Sequence, residues 1–402
     1  MKPTLKVKIL MIVVAIAFLF FFSNDFGLID VEKTSIITAI AIDKEQDEYL
    51  VTAQIAVPEA IDTNSENLKT QLIGKGCTVG AAIKDLGDVS GWFPKLAFCN
   101  LIILGQSLTD TNVIECLDYF AKTLRVQDSA MVALSEKSAK ELLSISTPLD
   151  NISAFALQKI LLKTRGFDKD VASADIKEFC AGHYSKNGSA YMPIIKTLPS
   201  GDEQNKSQSQ SSGGSNNSQG GNSSKDSKKQ LFDARTTALF KNGYKVGELN
   251  QDLTLVFNAL KGNFNETTIP VNNVLHSDGK KSDYLLSVIT STPKIKMKVK
   301  DKIEVDISLY LYCQIIDHAI DGSKEALSQN VTLPKELKSK TEKMLKTNIE
   351  DLIETSKKTN CDFMRFSNML YRHHHKHYER FKDNLLDNLS VSVSIVVEGQ
   401  KM

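Results

Sequence analysis

KLAFCNLIIL, residues Lys95 to Leu104, is a short continuous run of apolar residues. That is the pattern of a strand buried at the centre of a sheet, with no wet face to alternate against. Working outward, Val113 to Leu124 places Ile114, Leu117, Phe120, Ala121 and Leu124 on one helical face, and Ser129 to Leu134 reads as a strand. Ser138 to Ser144 is a further short helix. On the amino-terminal side, Thr78 to Leu86 (TVGAAIKDL) has helical spacing, with Val79, Ile83 and Leu86 on one side. Before it, Thr34 to Ile42 (TSIITAIAI) and Tyr49 to Val57 (YLVTAQIAV) read as the strands of a hairpin around the turn-prone Asp43 to Glu48. Asp62 to Lys69 is polar and reads as a surface loop. Strands alternating with helices over a hundred residues predict an α/β domain at 31–148.

Downstream, a helix over Ile152 to Lys163 and the segment Tyr191-Met192-Pro193-Ile194-Ile195 suggest a smaller middle unit at 149–199. Composition then changes sharply. Ser200 to Lys229 contains no apolar residue, so it cannot bury a core and is expected to be a disordered linker, 200–230. Random-coil scaling would hold its ends roughly 30 Å apart. A second α/β domain is expected at 231–402. Its strands are Thr236 to Phe240, Lys245 to Leu249, Asp283 to Thr290, Lys294 to Lys300 and the alternating Val305 to Ile315. Asp252 to Leu260 is a short helix. Pro334 to Lys358 is the long helix, its apolar stripe made by Leu337, Met344, Leu345, Ile349, Leu352 and Ile353. Leu389 to Val397 alternates, with serines on most of the second face, and reads as a half-buried antiparallel strand closing the domain. The fold class is therefore α+β or mixed α/β: a multi-domain body with mixed sheets flanked by helices.

The chain has 402 residues, 42% hydrophobic and 24% charged, with a net charge of +1. That near-neutral balance argues against a nucleic-acid partner. Six cysteines, Cys77, Cys99, Cys116, Cys180, Cys313 and Cys361, are scattered without a CxxC pair, so they read as free thiols, mostly buried. Near the start, Ile9 to Phe22 is unbroken apolar sequence preceded by Lys2, Lys6 and Lys8. As a helix it rises about 21 Å, short of a hydrocarbon core of about 30 Å. Adding Leu5 and Val7, with Lys6 and Lys8 snorkelling, brings it close to spanning length. A cleaved signal would share this pattern, but no small-x-small site follows. Residues 1–30 are thus expected to be a transmembrane or signal-anchor helix, with the body outside the membrane.

Candidate chemistry is sparse. His373, His374, His375 and His377 cluster, and on one helix His373 and His377 would share a face at two-ligand spacing. No carboxylate or cysteine completes the set, and Arg372, Lys376 and Arg380 add positive charge, so a solvated basic face is expected and no metal site is assigned. Gly74-Lys75-Gly76-Cys77-Thr78 lacks the spacing of a phosphate loop and reads as a strand-to-helix turn needing glycine's backbone freedom. No GxSxG or paired-acid context suggests a hydrolase. Trp92-Phe93-Pro94 could be a contact surface, with a packed loop the preferred reading. No catalytic, cofactor or metal residues are assigned.

Three ordered stretches carry a family resemblance. They are Ala41-Ile42-Asp43-Lys44 with Val51-Thr52-Ala53-Gln54-Ile55, then Gly74 to Val79 through Ala139-Lys140-Glu141-Leu142-Leu143, then Ala238-Leu239-Phe240-Lys241-Asn242-Gly243 with Gly247-Glu248-Leu249-Asn250 and Asn360-Cys361-Asp362-Phe363. Together they resemble the C subunits of spore germinant receptors, the GerAC-like or Ger(x)C family. The resemblance implies a three-domain mixed α/β body at the outer face of the spore inner membrane. It further implies no catalysis and no cofactor, and two integral membrane partners, an A-type and a B-type subunit; a small-molecule germinant is a possible ligand. Two departures stand out. Gly27 to Glu32 has no cysteine for the family's lipid anchor, and Asn100 stands where the family commonly has histidine. The missing cysteine gives the anchoring role to Ile9 to Phe22. The competing class is a membrane-anchored envelope enzyme or solute-binding protein, which gene neighbourhood would separate from a receptor subunit.

Overall fold

The computed structural model describes residues 5–23, 34–55, 71–123, 126–148, 150, 152–162, 170–199, 230–262, 264–276, 279–320 and 332–399. The expected loop at Asp62 to Lys69, the linker at 200–229 and the cysteine-free stretch Gly27 to Glu32 lie outside them.

Helix α1 (Leu5–Ser23) contains the whole Ile9 to Phe22 run. Among the described residues no helix is long and apolar enough to cross a membrane. The body begins with the expected hairpin, β1 (Thr34–Glu45) and β2 (Glu48–Ile55), paired antiparallel from Ile37↔Ile55 to Glu45↔Glu48. β3 (Gln71–Gly76) adds to β2 and leads into α2 (Val79–Ser90), whose cap is Thr78: its Oγ1 accepts from Ala81 N at 3.1 Å. Gly74 and Gly76 are thus strand residues, and neither has positive φ. Their glycine requirement is close approach, because a Cβ would lie 2.2 Å from the Ala82 oxygen at Gly74 and 2.6 Å from the Ala82 nitrogen at Gly76. This corrects the turn reading.

The run Lys95 to Leu104 is not one strand. It divides into β4 (Phe93–Lys95), a 3-10 turn at Leu96–Phe98, and β5 (Leu101–Leu104). Next come α3 (Ile114–Lys122), β6 (Met131–Ser135), α4 (Ala139–Ser144), α5 (Ser153–Leu161), β7 (Ala174–Asp175), α6 (Ile176–His183) and β8 (Ser189–Pro199). Beyond the 200–229 segment lie β9 (Gln230–Lys241), β10 (Tyr244–Leu249), α7 (Gln251–Leu260), β11 (Thr267–Leu275), β12 (Lys281–Val299) and β13 (Ile303–Ile320). Then come α8 (Lys335–Lys358), α9 (Phe366–His373), α10 (His375–Phe381) and β14 (Leu389–Gly399).

One sheet runs β10-β9-β8-β6-β5-β1-β2-β3, with β4 joined to β1 and β7 to β6. β1, β5, β6 and β8 are mutually parallel along it. β8 pairs antiparallel with β9, from Ser189↔Lys241 to Pro199↔Gln230. Pro199 and Gln230, which flank the polar segment, are therefore strand neighbours about 5 Å apart, rather than roughly 30 Å apart. Residues expected in the middle unit and in the C-terminal domain share this sheet. β9 turns into β10 through Asn242-Gly243, both at positive φ, the pairing that suits a two-residue hairpin turn.

The second sheet is β11-β12-β13-β14. β14 runs parallel to β13, Ile303↔Leu389 through Cys313↔Gly399, which corrects the antiparallel expectation. The chain returns through α8, α9 and α10, and a helical crossover is what a parallel neighbour requires. β12 is one strand through Pro293, not two. Its β11 pairing stops at Val288, so beyond it Pro293 meets only β13, and a missing amide on a free edge costs little. A single hydrophobic core extends from Ile37 in β1 through Phe179, Phe240, Phe257 and Phe363 to Val397. A smaller one, with Ala41, Leu101 and Ile103 against Leu142 and Leu157, covers the other face of the first sheet.

Candidate functional site

The carboxyl ends of parallel strands are where open α/β sheets place ligands, and here that position is filled from within. Asp43, at the end of β1 and buried, accepts from Ala139 N and Lys140 N at 2.9 Å each and from Ser138 Oγ at 3.1 Å. It holds the first turn of α4 in place, and Gly105 leaves room for it, since a Cβ there would stand 1.9 Å from Asp43 Oδ1. Beside this cap is a cavity of about 320 Å³ bounded by Ser135, Lys137, Glu141, Ile195 and Gln230. Hydroxyls, the Glu136 and Glu141 carboxylates and Lys137 share its lining with the apolar Leu142, Ile145 and Ile195, a mixture that suits a small molecule with both polar and apolar parts.

At the seam between the two sheets, Glu178 of α6 accepts from Tyr191 Oη at 2.6 Å and Lys261 Nζ at 2.7 Å. Lys261 also donates to the Tyr191 hydroxyl, and Arg365 Nη2 reaches the Glu178 carbonyl at 3.4 Å. Burial pushes the Glu178 carboxyl up, but the Lys261 hydrogen bond and charge outweigh it and hold the group below its ordinary range. Burial, and then the Glu178 charge, push the Tyr191 phenol up. The arrangement clamps α6 and β8 to α7 and the segment before α9. A second tie lies close by. Buried Asp362 accepts from Phe366 N, Ser367 N and Ser367 Oγ, and its own amide donates to Ser189 Oγ at 2.8 Å.

None of the sequence's chemical candidates is assembled into a reactive centre. The i and i+4 helical spacing of His373 and His377 does not form, because α9 ends at His373 and α10 begins at His375. His374 Nε2 lies 3.2 Å from the Met297 carbonyl, and His375 packs edge-on to Tyr371 at 5.0 Å. Among the described residues no group of three His, Cys, Asp or Glu could hold a metal ion. All six cysteines are free, with Cys99, Cys116, Cys313 and Cys361 buried, Cys180 half-buried and Cys77 exposed. Burial pushes the Cys99, Cys116 and Cys313 thiols up to about 12 and Cys361 to about 11, so none of these four is a thiolate near neutral pH. Trp92, expected in a packed loop, is 48% exposed.

Among the described residues, one face of the second sheet is exposed. Lys294, Lys296 and Lys298 of β12, Glu304, Ser308 and Tyr310 of β13, and Ser390, Ser392, Ser394 and Val396 of β14 are exposed on it. Charge pairing is local: Lys298 Nζ lies 3.0 Å from Asp306 Oδ2, Ser392 Oγ donates to Asp306 Oδ1 at 2.6 Å, and Tyr310 donates to Glu398 at 2.8 Å. Sequence alternation marked this face on β13 and β14. The Glu178 clamp and the Asp43 cap were not anticipated, since nothing local in the sequence pairs residues so far apart.

Comparison with known proteins places this geometry. The profile of the spore germination protein N-terminal domain matches residues 28–197. The spore germination B3/GerAC-like C-terminal profile matches residues 235–399. The chain belongs to the GerAC-like family of germinant receptor C subunits. The crystal structure of the GerBC protein aligns with a TM-score of 0.51 at 17% identity, over 92% of this chain and 100% of that one; at this identity the likeness establishes the fold. No curated protein matches the chain significantly. In the GerAC-like chain described here, the boundary between the two profiles falls on the β8–β9 hairpin, so the two family domains share a sheet.

Proposed function

We propose that this GerAC-like chain is a non-catalytic, membrane-anchored subunit of a nutrient germinant receptor. It stands beside A-type and B-type integral membrane subunits, with its body on the extracytoplasmic face of the spore inner membrane. The observation that carries the reading is the match of both family profiles, in order, across the body. Anchoring is supported by α1, where eight apolar side chains between Ile9 and Phe18 are each more than half exposed. So much contiguous apolar surface is stable only when covered. Spanning requires the helix to extend to Leu5 with Lys6 at the interface. The cavity beside α4 is the place where a small germinant with polar and apolar parts would fit this body.

A strain lacking the gene, sporulated and tested on a panel of nutrients, is the experiment. The expected result is lost germination on at least one nutrient, restored by the full chain. Unchanged germination on all of them, with the chain recovered in a complex with envelope enzymes, would replace this reading by the envelope-protein one.

A further inference from the structure

One corner of the first sheet exposes several apolar side chains. β4 lies parallel to the first residues of β1, pairing Thr34 with Phe93, Ser35 with Pro94 and Ile36 with Lys95. α2 ends just before it and the Leu96–Phe98 turn follows. Val89 is 74% exposed, Phe98 51%, Trp92 48% and Ile36 39%. Lys95 Nζ sits 5.9 Å from the Phe98 ring centroid. The two acids of α2 are engaged: Asp85 accepts from Lys75 N and Asp88 from Lys84 Nζ. Single exposed apolar residues need no explanation, but a group of them where the end of α2, β4 and the start of β1 come together marks a contact site.

The chain itself says what lies nearby. α1 ends at Ser23 and β1 begins at Thr34. The ten residues between them reach at most about 35 Å, so the surface that α1 enters is within that distance of this corner. The far end of the sheet, at Leu198 in β8, is roughly a dozen strand residues, about 40 Å, farther on. Tryptophan and phenylalanine beside a lysine is the composition of a membrane–water boundary, where the ring enters the headgroup layer and the charge stays wet.

We infer that the corner made by Val89, Trp92, Phe98 and Ile36, with Lys95, rests in the interface of the bilayer that α1 enters and sets the tilt of the first sheet against it. The inference rests on the anchoring reading above. A docked protein would need a complementary surface; a bilayer needs only this mixture of rings and charge, at this distance from the anchor.

Trp92 is the chain's single tryptophan, so its own emission reports on the corner. The full chain is reconstituted into vesicles of phosphatidylethanolamine and phosphatidylglycerol and recovered by flotation. Lipids brominated near the headgroup or deep in the acyl chain then serve as quenchers, with acrylamide as the aqueous one. The inference expects Trp92 emission shifted to shorter wavelength, quenched most by the shallow bromines and protected from acrylamide. A Trp92→Phe, Leu198→Trp variant should float equally well yet stay open to acrylamide and unquenched by lipid. A floating chain whose Trp92 is quenched by acrylamide but not by lipid overturns the inference and leaves the anchor standing. Trp92 shielded only in native membranes carrying the whole receptor, without lipid quenching, overturns it in favour of a partner subunit. Equal lipid quenching at positions 92 and 198 overturns it as well, and a chain that does not float removes the anchor reading and this inference together.

Discussion

The middle of the first sheet and the edge of the second bury their residues differently. In β5 and β6 consecutive residues are all buried, Ile102, Leu104, Val132 and Leu134 toward the large core and Leu101, Ile103, Met131 and Ala133 toward the small one. In β14 the pattern alternates: Val391, Val393 and Ile395 are half-buried, and Ser390, Ser392 and Ser394 are exposed. A strand sealed on both faces has no position at which polarity is free to change. A strand sealed on one face can vary its outer side chains without touching the fold. The first sheet thus buries both of its faces, whereas the second joins the same core by one face and keeps the other exposed.

The largest effect should come from the sealed strand. Ile103→Ala removes a fully buried side chain from a tightly packed layer and should cost about 2–5 kcal/mol, a large share of a total stability of about 5–15 kcal/mol. Chemical denaturation of the full chain in detergent would measure it. A loss below about 1 kcal/mol would mean the second face is not sealed.

The seam between the sheets gives an intermediate effect that depends on pH. The Glu178 carboxyl is held below its ordinary range, burial being outweighed by the Lys261 hydrogen bond and charge. A folded-state value below the unfolded one adds stability above the unfolded value, near pH ~4.3, and that stability is lost as pH falls through the folded value. Glu178→Gln should therefore lose stability at neutral pH and lose less than the wild type on acidification below about pH 4. Parallel curves for the two proteins across that range would remove Glu178 from the clamp.

The smallest effects should lie on β14. Val393→Ala, half-buried, should cost about 1 kcal/mol, while Ser394→Asp on the open face should stay within about 0.5 kcal/mol. Equal thermal destabilisation by the two would show that β14 is covered on both sides, and the contrast with β5 would disappear.

Much of this contrast was legible in the sequence, because the period of apolar residues reports which faces are buried. The alternating Val305 to Ile315 is a strand as read, and of the run Lys95 to Leu104 the last four residues, Leu101 to Leu104, form the sealed strand. What failed was information that period does not carry. The 3-10 turn at Leu96–Phe98, followed by Cys99 and Asn100, interrupts Lys95 to Leu104 while remaining in an apolar context. β11 was missed because Pro270 and the bulge at Asn272 and Asn273 disrupt its alternation, features tolerated on an edge. The alternation of β14 says nothing about direction, although the helical connection before it was a usable signal for a parallel neighbour. In the site region, the composition of Ser200 to Lys229 could not reveal that the flanking Pro199 and Gln230 are strand neighbours. Trp92-Phe93-Pro94 reads the same whether packed or exposed, and the Asp43 cap joins residues about a hundred positions apart.

The central structural claim is that the chain on the two sides of the polar segment forms one body, through the β8–β9 pairing and the shared core. Its most direct test is a full chain carrying an inserted protease site between residues 205 and 225, cleaved to completion and run on a sizing column without denaturant. The account predicts that the two fragments elute together and unfold in one transition, separating only in denaturant. Two independently folded fragments that elute apart would contradict it.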